Sequence, residues 1–148
     1  METESIAAES GFGSAPLLVV FVNPREASLK KAPHILIVDD NQDIVTMLRE
    51  ALGRHGFRID STTSPEDALK QAETTAYDAA LLDLVMPGRD GAALATALRE
   101  KIPGLPVAIL TAFARSPLIP GALRSGVQLF TKPVAIQDLV DFLRAETD

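Results

Sequence analysis

From residue 34 onward the apolar positions alternate between two patterns. Short continuous runs, ILIV at 35–38, AALL at 79–82 and VAIL at 107–110, are the mark of strands covered on both faces. FRIDST at 57–62 alternates and predicts a strand nearer a sheet edge, and 127–131 predicts a last strand. Between these runs the spacing changes to that of a helix. Ile44, Val45, Met47, Leu48, Ala51 and Leu52 line one face behind Asp43 in the first turn, and Gly53 and Gly56 bracket the end. Ser64 is placed to cap a second helix, with Pro65 at its first position and Glu66 and Asp67 in its first turn, running to about Glu73. GAALATALREK at 91–101 is a third helix, stopped by Pro103 and Gly104, and Ile136, Leu139, Val140 and Leu143 mark a final amphipathic one. The helix expected between 112 and 126 meets Pro117 and Pro120. A ring at 120 clashes with a turn begun at 116, so this helix is expected to be short, late or irregular.

Strand and helix thus alternate along the chain, which predicts an α/β fold: a doubly wound, five-stranded parallel sheet with helices on both faces. In such sheets ligands bind beyond the carboxyl ends of the strands. That rule sorts the polar residues. Asp39 and Asp40 follow the first strand, Asp83 ends the third, Thr111 the fourth, and Lys132 the fifth. Asp83 by itself is a helix cap or a reactive group; its neighbours at the same edge decide between the two. Asp43 reads as first-turn charge and Asp90 as surface or turn chemistry.

Residues 1–33 differ. Their first part is small, polar and Gly/Ser-rich, which predicts a mobile arm, and LLVVFV at 17–22 is an extra strand or a docking segment. The domain boundary is placed near Pro33, leaving 34–148 as the regular domain. LLVVFV is too short to span a bilayer, and the acidic residues before it are unlike a signal peptide, so a cytoplasmic location is expected, with no membrane partner. The absence of cysteine excludes disulfides and thiolate metal sites, and His34 and His55 alone do not make a zinc site; each is expected at the surface or a strand edge. A net charge of -6 argues against direct binding of nucleic acid.

Clustered carboxylates repel, and a hard divalent cation with oxygen ligands relieves this. Mg²⁺ with carboxylates, a lysine and a hydroxyl makes a phosphoryl site, where positioning and charge neutralisation carry the chemistry. The chain has no glycine-rich phosphate loop for a nucleotide. HILIVDDN at the first strand, LLDLVMPGRDG at the third, ILTA at the fourth and LFTKP at the fifth resemble a response-regulator receiver domain, over about residues 34–146. Any one of these motifs is weak; four in order, each at a strand end, are specific.

The resemblance implies strand order 2-1-3-4-5, the flavodoxin-like receiver arrangement. It also implies roles. Asp83 matches the phosphoacceptor, Asp40 a direct Mg²⁺ ligand, Asp39 a ligand through water, and the backbone carbonyl of Val85 the remaining protein ligand. Thr111 matches the switch hydroxyl and Lys132 the cation that pairs with the phosphoryl group. The Lys132–Pro133 bond is expected to be cis, and Ala112 matches the small residue beside the phosphate. The implied partner is a histidine kinase or histidine phosphotransfer protein, and the implied activity is that of a switch in a two-component phosphorelay, with only slow self-dephosphorylation as enzyme chemistry.

Two departures stand out. The family's inward-swinging Tyr or Phe is replaced by Leu129, with Phe130 next to it, so either Phe130 substitutes or the relay is altered. Val85 and Phe113 are apolar where relatives can carry polar groups that orient water, which predicts a long-lived phosphoryl group. With no output domain after the last helix, a single-domain regulator or an isolated receiver is expected. The alternatives are a degenerate receiver acting as a phosphorylation-independent binding module and, ranked lower, a Mg²⁺-dependent phosphohydrolase of dehalogenase type, whose Asp-x-Asp pattern the first strand lacks.

Overall fold

The computed structural model describes residues 32–113 and 115–148. The expected arm and the strand at 17–22 lie outside the described residues. Five strands form one parallel sheet: β1 (His34–Val38), β2 (Arg58–Thr62), β3 (Ala79–Asp83), β4 (Val107–Thr111) and β5 (Gln128–Thr131), in the order β2-β1-β3-β4-β5. The helices are α1 (Gln42–Gly53), α2 (Pro65–Thr74), α3 (Gly91–Lys101), α4 (Ile119–Arg124) and α5 (Ile136–Thr147).

The continuous apolar runs are divided residue by residue between two cores, because successive strand side chains point to opposite faces. Leu36, Val38, Ala80, Leu82 and Ile109 pack with Ala68, Leu94, Leu98 and Ala122 from α2, α3 and α4. Ile35, Ile37, Leu81 and Leu110 pack with Val45, Leu48, Leu52, Leu139 and Leu143 from α1 and α5. Fully buried leucines and isoleucines each stabilise the fold by roughly 1.5–3 kcal/mol relative to exposure, and the central strands carry several.

The helix starts follow from capping. Asn41 accepts hydrogen bonds from the amides of Asp43 (2.9 Å) and Ile44 (3.3 Å), and Ser64 from that of Asp67 (3.3 Å). The helix expected to be irregular is short and late. α4 has six residues, begins after Pro117, and has Pro120 in its first turn, where the missing N–H removes no helical bond.

Strand order brings β1, β3, β4 and β5 together at the centre and one edge. The last residues of β3 and β4 and the residues just after β1 and β5 then share one rim.

Candidate functional site

β1 delivers Asp39 to this rim, β3 delivers Asp83, β4 delivers Thr111, and Lys132 follows β5. Lys132 joins them. Its Nζ donates to Asp39 Oδ2 at 2.8 Å and to Asp83 Oδ1 at 3.1 Å, with all three side chains largely buried. The Lys132 backbone N–H donates to the Thr111 carbonyl at 2.7 Å, which fixes the lysine against β4. The Lys132–Pro133 peptide is cis, as the sequence led one to expect.

Asp39 is almost wholly buried and has both oxygens engaged, since Oδ1 accepts the Asn41 amide at 2.9 Å. Asp40 is exposed at the mouth. Asp39, Asp40 and Asp83 each offer a carboxylate oxygen, all within 4.8 Å of one another. This set is all oxygen and all acidic, with one ammonium against three carboxylates. It fits a hard dication such as Mg²⁺, for which Asp39, Asp40 and Asp83 would offer the side-chain donors.

The electrostatics follow from this crowding. Burial raises the pKa of Asp83 above the ordinary carboxylate value and the charge of Asp39 raises it further; Lys132 opposes this without cancelling it, and Asp40 adds to the rise. For Lys132, burial pulls downward, but its bonds and charge interactions with Asp39 and Asp83 outweigh that, so its pKa lies above the usual lysine value and it stays charged.

Thr111 is fully buried, and its Oγ1 accepts the Phe113 amide at 2.9 Å. Ala112 and Pro133 are exposed at the same rim. The side chains of Val85 and Phe113 are exposed and, with Arg115, Ser116 and Pro117, line an apolar groove of about 560 Å³ beside the acidic cluster. Leu129 is partly buried, packed against the core formed with α2, α3 and α4.

Two residues beside the cluster have structural roles that the sequence reading did not assign. Asp90, read there as surface or turn chemistry, is the N-cap of α3 and accepts the Ala93 amide at 2.8 Å. Gly91 lies directly against the backbone of Asp83: a Cβ there would sit 2.3 Å from the Asp83 carbonyl oxygen. The Asp-Gly pair ahead of an apolar helix was a legible cap; the close approach was not, because it depends on where α3 meets β3.

With this geometry in place, the chain can be compared with known proteins. The response regulator receiver domain family model matches residues 35–144, and the chain belongs to that family. It is 32% identical over 115 residues to the transcriptional regulatory protein PrrA of Mycobacterium leprae, covering 77% of this chain and 49% of the relative. The chain therefore spans about half the length of that curated relative. Among solved structures it is similar to the receiver domain of a Francisella response regulator (TM-score 0.70, 28% identity, covering 78% of this chain and 96% of that one). It is also similar to the receiver domain of a sensor histidine kinase from Pseudomonas aeruginosa with a magnesium ion coordinated in its active-site cleft (TM-score 0.70, 27% identity, covering 78% and 98%). Receiver domains of two-component systems are phosphoacceptor switches rather than conventional enzymes. Among the described residues no helix is long and apolar enough to cross a membrane.

Proposed function

We propose that this chain is a phosphoacceptor switch of a two-component phosphorelay, with Asp83 receiving a phosphoryl group from a phosphohistidine on a histidine kinase or phosphotransfer protein. The observation that carries this reading is the contact of Lys132 with both Asp39 and Asp83 at the mouth of an all-carboxylate cluster. An Asp83 carboxylate oxygen forms the new bond to phosphorus as the P–N bond breaks; the electron pair of that bond stays on the imidazole nitrogen, and the donor ring, protonated at its other nitrogen, leaves as neutral histidine. Lys132 is already within hydrogen-bond reach of Asp83 and faces the negative charge that the phosphoryl group brings. Asp39 accepts a second hydrogen bond from that ammonium and helps hold it in place.

Asp39, Asp40 and Asp83, with the backbone carbonyl of Val85, are the groups proposed to hold Mg²⁺, the metal in the related histidine-kinase receiver. When bound, the ion neutralises the carboxylates and the incoming phosphoryl oxygens. Thr111 is the proposed switch hydroxyl: its oxygen accepts the Phe113 amide, a bond that turning toward a phosphoryl oxygen would exchange. Ala112 carries no side chain beyond a methyl to obstruct the donor. A cytoplasmic setting suits this reading, since that is where the kinase partner would present its phosphohistidine.

The test is transfer from a radiolabelled phosphohistidine protein in the presence of Mg²⁺. The label is expected on Asp83 and should be released by hydroxylamine, as an acyl phosphate is. No transfer to this chain, while a known receiver is labelled by the same donor, would favour the alternative of a receiver that binds partners without phosphorylation.

A further inference from the structure

The phosphoacceptor side chain can be no better placed than the backbone that carries it, and one corner of the fold grips that backbone. α3 begins against the end of β3. The Gly91 amide donates to the Leu84 carbonyl at 2.8 Å, and the Gly91 Cα stands where any Cβ would lie 2.3 Å from the Asp83 carbonyl oxygen and 3.1 Å from Leu84 Cα. Gly91 is also buried. The atoms in the way are backbone atoms, which cannot rotate aside. One residue earlier, Asp90 caps the helix, its carboxylate accepting the Ala93 amide at 2.8 Å and its carbonyl accepting the Leu94 amide at 2.9 Å.

We propose that the Asp90–Gly91 corner is a positioning element for Asp83: the cap fixes the first turn of α3, and the bare Cα of Gly91 lets that turn hold the Asp83–Leu84 peptide at the height the phosphoryl site requires. The proposal rests on Asp83 being the phosphoacceptor. A methyl at residue 91 must displace the Asp83 carbonyl or the helix by about 0.7 Å merely to open 2.3 Å to 3.0 Å. Misplacement of a reacting group by about 1 Å can cost about a hundredfold in rate. Gly53 offers the comparison, because a Cβ there meets no atom within 4 Å.

The test uses the full chain and acetyl phosphate with Mg²⁺, with initial labelling rates taken well below each variant's thermal midpoint, and amide NMR shifts of the metal-free proteins beside them. Gly91→Ala is expected to lower the labelling rate by about tenfold to a hundredfold and to move the Asp83 and Leu84 amide signals, while Gly53→Ala leaves both unchanged. Asp90→Ala is expected to slow labelling and Asp90→Asn to restore it, since Asn caps as well as Asp; a role confined to stability would change the midpoint and not this pattern. Should Gly91→Ala fail to fold, the Asp90 pair decides. Labelling of Gly91→Ala at the unmutated rate, or a rate lost in Asp90→Ala that Asp90→Asn does not recover, overturns the proposal. An unmutated chain that takes no phosphoryl group overturns the phosphoacceptor reading instead.

Discussion

Leu129 and Phe130 are neighbours on β5 but face opposite sides of the sheet. Leu129 packs with the core under α2, α3 and α4, whereas Phe130 packs with the core under α1 and α5, its ring edge-on to Phe142 at 5.9 Å. Strand alternation makes this exclusive: no local shift short of a register slip puts Phe130 where Leu129 stands. Phe130 therefore does not replace the aromatic residue that the family places at the position of Leu129.

Phe130 is then a structural residue. Phe130→Ala is expected to lower stability by about 2–3 kcal/mol, less than for a fully buried ring because Phe130 is only partly buried. Urea unfolding measures the loss, and the acetyl phosphate labelling rate of the folded variant is expected to match that of the unmutated chain. A labelling rate that falls with the ring would mean that Phe130 takes part in the switch.

The carboxylate cluster is held at a cost to stability. The pKa of Asp83 is raised in the fold, by burial first and by Asp39 second, so the folded state holds the Asp83 proton more tightly than the unfolded chain does. Stability then falls as pH rises from the unfolded to the folded pKa of this group, and the penalty is complete above the folded value. Asp83→Asn removes the buried charge and keeps the Asp39–Lys132 pair. In metal-free buffer at neutral pH it is expected to unfold at higher urea than the unmutated chain, and an unchanged or lower midpoint would contradict the stated electrostatics.

A second set of titrating groups lies among the core elements away from the site. Tyr77 Oη donates to Asp60 Oδ2 at 2.7 Å, and His34 Nε2 lies 3.1 Å from the same oxygen. Burial alone would raise the pKa of Asp60, but the bonds from Tyr77 and His34 outweigh it and leave it lowered. A lowered carboxylate stabilises the fold above its unfolded pKa, and that contribution is lost as pH falls through the folded value. Asp60→Asn should therefore lower the unfolding free energy at neutral pH, read from urea unfolding, by under about 1 kcal/mol because the carboxylate is partly exposed. As pH falls below the ordinary carboxylate range the difference from the unmutated chain should shrink. A difference that grows in acid would have the sign wrong.

The apolar groove beside the cluster bears on lifetime. Val85 and Phe113 are both exposed there and neither can orient an attacking water. The phosphoryl group on Asp83 is expected to persist for minutes or longer, and Val85→Asn to shorten that lifetime, followed by the decay of the phosphorylated mass after removal of the donor. Loss within seconds in the unmutated chain would contradict the expectation.

Most of the architecture was legible because both periods are clean. ILIV and VAIL carry the mark of strands covered on two faces, and the placement of Asp39, Asp83, Thr111 and Lys132 at one rim follows from parallel strands. The late start of α4 was legible from Pro117 and Pro120, because the steric rule is local. What was not legible depends on contacts between elements. FRIDST predicts an alternating strand, but nothing in it tells that Asp60 will meet Tyr77 and His34. Arg99 looks like a charge at a helix end, yet it donates to the carbonyls of Leu105, Ser125 and Gly126 and ties α3 to the turn before β5. The choice between Leu129 and Phe130 stayed open until strand register assigned each to a face.

The central claim is that Asp83 is the phosphoacceptor, and the mass of the intact protein tests it most directly. After incubation with acetyl phosphate and Mg²⁺, the unmutated chain should gain about 80 Da, one phosphoryl group in an acyl phosphate, while Asp83→Asn gains nothing and chelation of the metal abolishes the gain. The same gain in Asp83→Asn, or none in the unmutated chain, would contradict it.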